Sequence, residues 1–172
     1  MAELPILIAP DPRLRGKAKS VTTVDARVRR LMDDMLDTMY AAPGIGLAAP
    51  QVGVMERIVV VDVSGKNEPS APMRLVNPAI VWRSEETEAG EEGCLSIPEH
   101  YADVTRPARV RVTYQDEKGT AQEIEADDLL ARCLQHEIDH LDGVLFVDHL
   151  SKLKRDMILR KTQKLKKSKA SA

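Results

Sequence analysis

The stretch QHEIDHLDGVLF, residues 135–146, decides how the rest of the chain is read. His136 and His140 are four residues apart. On an α-helix that spacing puts both imidazoles on one face, about 6 Å apart along the axis, where they can share an ion. Glu137 is rotated roughly 100° from His136, so it flanks the ion position and suits a general base acting on water. The helix is supported independently by apolar residues at 129, 130, 133, 134, 138 and 141. Asp127 or Asp128 is placed to cap its start, and Gly143 is a natural residue just past its end. Two imidazoles do not complete a catalytic metal site, so a third ligand must come from elsewhere.

The usual downstream ligands are missing. The pattern HExxHxxGxxH is followed through Gly143 and then broken by Phe146, and no Glu occurs after Glu137. Asp142, Asp148, His149 and Asp156 remain, but Asp142 faces away from the pair, and His149, in the exit loop, is a secondary candidate. Cys133 lies one turn before His136 on the same face. An ion between the two imidazoles would be about two turns from it, so three side chains in one row cannot converge tetrahedrally. Cys133 is better placed to line a pocket over the helix, or to pack as a small buried hydrophobe. Cys94, in EEGCLSIPE (residues 91–99), sits in a short non-helical segment that can cross the helix face from another direction, with Gly93 permitting close approach. Cys94 is therefore the favoured third ligand. A thiolate with two imidazoles suits Zn²⁺, Fe²⁺ or Ni²⁺ and leaves one position open.

The chain has 172 residues, 43% hydrophobic and 30% charged, which suits one domain with a substantial core. No apolar run approaches the roughly 20 residues of a membrane span. LPILIA at 4–9 is too short for a signal core and is interrupted by Pro5 and Pro10. The expected location is the cytoplasm, where the two cysteines would be free thiols or ligands rather than a disulfide. Residues 24–40 carry apolar groups at 28, 31, 32, 35, 36 and 39, a helical stripe with Thr23 or Asp25 as N-cap and Pro43-Gly44 as the stop. ERIVVVDV (56–63) and MRLVNPAIVW (73–82) read as strands, the second interrupted at Asn77-Pro78. RVRVTYQ (109–115) and TAQEIEA (120–126) alternate in period two around DEKG and read as a hairpin. A last helix starts near Ser151. The expected fold is α+β, with antiparallel sheets packed around a central metal-binding helix, an N-terminal helix and a C-terminal helix. Residues 1–150 form one catalytic domain, and residues 151–172 a basic helical tail. The tail holds nine Lys or Arg and one acid, leaving the remainder at −10 within a net charge of −2. A basic helix on an acidic body is a candidate contact for RNA; neither DNA nor a membrane is expected as a partner.

PGIGLAAPQVG, residues 43–53, matches the loose dinucleotide pattern GxGxxA on paper, but that pattern needs a strand before it and a helix after. Here the order is reversed, so nucleotide binding is rejected. Glycines at 44 and 46 suit backbone hydrogen bonding to an extended ligand. Gln51 ends the loop with an uncharged N–H donor that could stabilise a developing oxyanion.

Taken together, GIGLAAPQ (44–51), EGCLS (92–96) and QHEIDH (135–140) resemble the three ordered motifs of the peptide deformylases, specifically the bacterial type with a C-terminal helix. The resemblance covers nearly the whole chain. It implies that Cys94, His136 and His140 bind a divalent metal, Fe²⁺ in the cell, with Zn²⁺, Ni²⁺ or Co²⁺ able to substitute. It implies that Glu137 takes a proton from the attacking water and delivers it to the leaving amine, while Gln51 and the Leu95 backbone N–H hold the formyl oxygen. Gly44, Ile45, Gly46 and the backbone near Gly93 would flank the peptide, and Ile45, Leu129, Cys133 and His136 would border a methionine pocket. The implied reaction removes the formyl group of formylmethionyl peptides and releases formate. The rival enzyme is a metallopeptidase cleaving peptide bonds; the non-enzyme alternative is a catalytically silent, metal-bound peptide-binding module. Two positions depart from many relatives: Pro50, where a threonine is common, and Tyr101, where several have arginine. Glu92 and Arg106 are expected to pair and steady the Cys94 loop. The basic tail suggests docking on the ribosome.

Overall fold

The structure, a computed structural model, describes residues 2–171, with side chains through Ser168; the last position of the expected tail, Ala172, lies outside the described residues. Strand β2, Ile58–Val61, is the centre of the fold. All four of its side chains are buried, because alternate residues face opposite layers. Ile58 and Val60 pack with Val28, Met32, Met35, Leu36 and Met39 of helix α1, Ala26–Ala41. Val59 and Val61 pack with Ala131, Leu134, Ile138 and Leu141 of helix α2, Asp128–Leu141. A strand covered on both faces reads as an unbroken apolar run, which is what IVVV is. The stripe expected on α1 is buried as read, and Asp25 caps the helix by accepting the Val28 N–H at 3.0 Å.

Strands β1 (Gly46–Ala48), β2, β3 (Met73–Arg83), β6 (Val110–Gln115) and β7 (Ala121–Ala126) form one antiparallel sheet in the order β1-β2-β3-β6-β7. The interruption expected at Asn77-Pro78 is a register shift between Val76 and Ala79. Asn77 sits there at φ +51° and ties the strand to the N-terminal segment through Val21 N (2.8 Å) and Val21 O (2.9 Å). Asp127 occupies the N-cap position of α2, yet its carboxylate makes no capping bond; the chain enters the helix through Asp128 at φ +47°. Gly143 follows α2 at φ +76°, the left-handed position expected of it.

The segment around Cys94 is longer and more regular than the sequence suggests. Strands β4 (Thr87–Cys94) and β5 (Ile97–Pro107) form a separate two-stranded antiparallel sheet. This hairpin closes over the side of α2 turned away from the large sheet. Helix α2 is thus enclosed between two sheets, as the expected architecture requires. A third cluster, with Leu14, Ile97, Val104, Phe146 and Val147, fills the space behind the hairpin. It also takes Ile158 of helix α3, Lys152–Ser171, so the root of the basic helix is packed against the body.

At the exit of β2, Asp62 gathers four donors: Ser64 N (3.0 Å), Ser64 Oγ (2.6 Å), Tyr40 Oη (2.5 Å) and Ala71 N (3.2 Å). Its own N–H donates to Ile45 O at 2.8 Å, so the network fixes the loop that leads into β1. Burial alone would raise the Asp62 carboxyl; the Ser64 and Tyr40 hydrogen bonds outweigh it and hold the group below its ordinary 3.8. Burial and the same carboxylate push Tyr40 up to about 12. A carboxyl held down in the folded state stabilises the fold above its ordinary pKa, and that contribution disappears as the pH falls through the folded-state value. Asp62→Asn is expected to cost on the order of 1–2 kcal/mol at pH 7, with the deficit shrinking below about pH 4. Urea unfolding across that range checks it; a deficit that stays constant down to about pH 2 contradicts it.

Candidate metal centre

Three elements bring the ligand set together. Helix α2 presents His136 and His140, whose ring centroids are 5.0 Å apart. Cys94 arrives at the end of β4. There the hairpin pairing jumps from Gly93↔Tyr101 to Cys94↔Ile97, an irregularity that re-aims the side chain. One ligand atom from each of Cys94, His136 and His140 lies within 4.8 Å of the other two, and no other such cluster occurs among the described residues. Cys94 Sγ is 3.4 Å from His140 Nε2. His149, the secondary candidate, bonds instead to Asp139 at 3.0 Å, and Asp148 pairs with Arg15. Cys133 is not in the cluster: its thiol donates to Ile45 O at 3.7 Å, and burial, with the charges of Glu137 and Glu92, pushes its pKa well up.

The surroundings fit a cation. His136 Nδ1 is 2.9 Å from Glu92 Oε1, so with Glu92 ionised the ring donates from Nδ1 and its Nε2 is left to accept an ion. Burial would raise the Glu92 carboxyl, but His136 and Arg106 bring it down to about 2, keeping it an acceptor. The expected Glu92–Arg106 pair is present, with Arg106 Nη2 2.9 Å from Glu92 Oε1. His140 Nδ1 and Glu137 Oε1 are buried without hydrogen-bond partners among the described residues. Burial, with the positive charge of Arg106, holds the His140 pKa well below its ordinary value, favouring the neutral ring a metal requires. Burial raises the Glu137 carboxyl to about 7.

Glu137 reaches this position because Gly46 has no side chain. A Cβ at Gly46 would lie 2.5 Å from Glu137 Oε2 and 2.8 Å from Cys133 Sγ. Gln51 is held by Ala48 N, which donates to its Oε1 at 2.9 Å, while its Nε2 faces Ser96 Oγ (3.1 Å) and Cys94 Sγ (3.6 Å). Pro50, without an N–H, falls in the first turn of a short 3-10 helix at Ala49–Val52, where no donor is needed. A cavity of about 760 Å³ opens over these groups. Gly44, Ile45, Gly46, Gln51, Gly93 and Leu95 line it, as do Leu129, Cys133, His136 and Glu137 from α2, with Tyr101 at the rim. Its size is that of a small-ligand site. Of the twelve residues given roles by the resemblance, eleven line the cavity, Cys94 among them, and His140 joins them through the ligand cluster. Ser96, which positions Gln51, and Arg132, Gln135 and Asp139, which bind the hairpin, were not anticipated. The only trace of the last three is a polar stripe on α2 that resembles a solvated face.

An HExxH helix, a cysteine crossing from another element and a buried carboxyl beside them define a metal-dependent hydrolase. The sequence pattern of the polypeptide deformylase family matches residues 3–156. The chain is 59% identical over 166 residues to the peptide deformylase of Methylocella silvestris, covering 95% of this chain and 85% of that protein. It is 55% identical over 167 residues to that of Rhizobium meliloti, covering 97% and 96%. The crystal structure of peptide deformylase from Ehrlichia chaffeensis superposes with a TM-score of 0.94 at 42% identity, covering 98% and 99% of the two chains. A structure of peptide deformylase from that organism in complex with actinonin gives 0.91 at 45% identity, covering 95% of this chain and 98% of that one. The chain belongs to the polypeptide deformylase family. It is an enzyme with a metal cofactor, and its function is peptide deformylation.

Cys94→Ala is expected to weaken binding of a divalent ion by more than the 10–100-fold typical of losing a supporting contact. Competition with a chromophoric chelator measures it, and unchanged affinity removes the thiolate from the ligand set.

Proposed function

We propose that the chain removes the formyl group from peptides beginning with formylmethionine and releases formate, with Cys94, His136 and His140 holding the ion. The convergence of these three residues beside the unpartnered Glu137 carboxyl carries this reading. When bound, the ion supplies a Lewis acid that acidifies water and polarises a carbonyl. Glu137 accepts the proton of the attacking water and passes it to the departing peptide nitrogen. Gln51 Nε2 and the Leu95 N–H stabilise the charge that gathers on the formyl oxygen. Gly44, Ile45, Gly46 and Gly93 flank the peptide, and Ile45, Leu129, Cys133 and His136 receive the methionine side chain. A formyl carbon carries hydrogen where other amides carry carbon, so a narrow cavity selects it by access.

The cellular ion is Fe²⁺, with Zn²⁺, Ni²⁺ or Co²⁺ able to occupy the same N₂S set; anaerobic purification followed by metal analysis decides it. The reduced thiol at Cys94 is in keeping with the cytoplasm. Residues 1–150 form the catalytic body, and residues 151–172 a basic appendage that docks on ribosomal RNA. Because Ile158 and Thr162 are buried, that docking is best tested by charge and not by deletion.

Glu137→Ala is expected to keep its ion and lose about 10²–10⁴-fold in turnover of formyl-Met peptides; activity within a few-fold of wild type removes Glu137 from this role. Replacing Lys161, Lys164 and Lys166 by Gln is expected to lower salt-sensitive co-sedimentation with ribosomes while small-peptide turnover is preserved. Equal co-sedimentation of both proteins refutes the docking.

A further inference from the structure

The cysteine and the two histidines belong to elements that share no backbone pairing. Cys94 is on the β4–β5 hairpin, whereas His136 and His140 are on α2. The separation of sulfur and imidazole therefore depends on what fastens the hairpin to the helix. That fastening is polar. Arg132, Gln135, His136 and Asp139 stand at i, i+3, i+4 and i+7 on one face of α2, and each bonds to the hairpin. Gln135 Nε2 donates to Pro107 O at 3.0 Å, His136 meets Glu92, and Asp139 accepts from Arg106 Nη1 at 3.0 Å.

Arg132 makes the most of these bonds, and it engages both strands. Its Nη1 donates to Glu92 Oε2 (2.7 Å), Val104 O (2.7 Å) and Gly90 O (3.4 Å), and its Nη2 to Glu88 O (2.9 Å). Gly90 and Val104 are direct partners in the hairpin register, so one guanidinium spans the ladder. The side chain is only 13% exposed. It passes through a slot that exists because residue 90 is glycine: a Cβ there would lie 2.9 Å from both Cζ and Nε of Arg132. The same guanidinium grips the Glu92 carboxylate whose other oxygen orients His136. Cys94 lies two residues further along the strand that Arg132 holds.

We propose that Arg132 is a positioning residue of the metal centre, setting the distance between Cys94 and the imidazoles and the orientation of His136 by locking the hairpin onto α2. This rests on the metal-site reading given above. Arg132 lines the cavity but lies outside the ligand cluster, and its hold on the centre runs through Glu92 and the β4 backbone. A planar fork with several donors is needed, so lysine, with a single point of attachment, replaces it only in part.

The test uses the full chain loaded with Co²⁺, whose thiolate charge-transfer absorption reports the sulfur contact directly. Arg132→Met keeps the aliphatic stem and removes the donors. It is expected to weaken ion affinity 10–100-fold by chelator competition and to shift or weaken the charge-transfer band, with Arg132→Lys intermediate. Gly90→Ala, which crowds the guanidinium from the opposite side, is expected to move both readouts in the same direction and stands in if Arg132→Met fails to fold. Arg27→Met breaks the Arg27–Glu56 pair outside the ligand cluster and should leave both readouts unchanged. Affinity and band unchanged in the folded variants overturn the proposal, even if thermal stability falls. A wild-type protein that binds no ion at all overturns the metal-site reading instead.

Discussion

The buried Glu92 carboxylate is the point on which the site depends. Arg106, Arg132 and His136 all converge on it, from two elements, in a place that is only 5% exposed. A buried charge is costly unless its partners surround it. Here the partners come from both the hairpin and the helix, so satisfying the charge and docking the two elements are the same event. Asp139 completes the arrangement by taking the remaining nitrogen of Arg106, leaving two cations facing two anions. The hairpin has little apolar surface with which to adhere to α2, and this ionic seam takes the place of a hydrophobic one.

The other side of α2 is held by different means. Its apolar residues meet the inner face of the large sheet, whose central strand β2 is covered from behind by α1. The catalytic helix is thus pressed against a rigid apolar wall on one side and gripped by polar contacts on the other. The chemistry lies along the boundary, where Glu137 and the imidazoles are screened from water yet open onto the cavity. Low dielectric around Glu137 comes from the wall, and the orientation of His136 comes from the seam. Neither layer alone accounts for the electrostatics of the centre.

The apolar half of this arrangement was legible in the residues. Period 3.6 located α1 and α2, the run IVVV located β2, and alternation around DEKG located the β6–β7 hairpin. The histidine spacing placed two candidate ligands on one face of α2, and Cys94 was the favoured third while Asp148, His149 and Asp156 stayed open, a choice the three ordered motifs also indicated. The hairpin carrying Cys94 was not legible as strands. TEAGEEGC and IPEHYADVTRP are rich in Glu, Gly and Pro, residues depleted in sheets, and their pairing is supported by the helix beneath them rather than by intrinsic preference. The stripe Arg132, Gln135 and Asp139 was invisible for a related reason: a polar face buried against a polar hairpin has the same pattern as one facing solvent. Asp127 illustrates a smaller limit, since the right residue at the right position still makes no capping bond when the chain turns sharply at Asp128.

The seating of α3 has a consequence for how the molecule meets anything large. Ile158 lies under cover beside Leu14 and Phe146 and Thr162 is buried one turn on, while lysines further along the helix stand in the solvent. The cationic segment is therefore seated on the body at its root, and its heading is inherited from the same apolar cluster that backs the Cys94 hairpin. A polyanion that gripped this helix would thereby also fix the compass bearing of the cavity mouth.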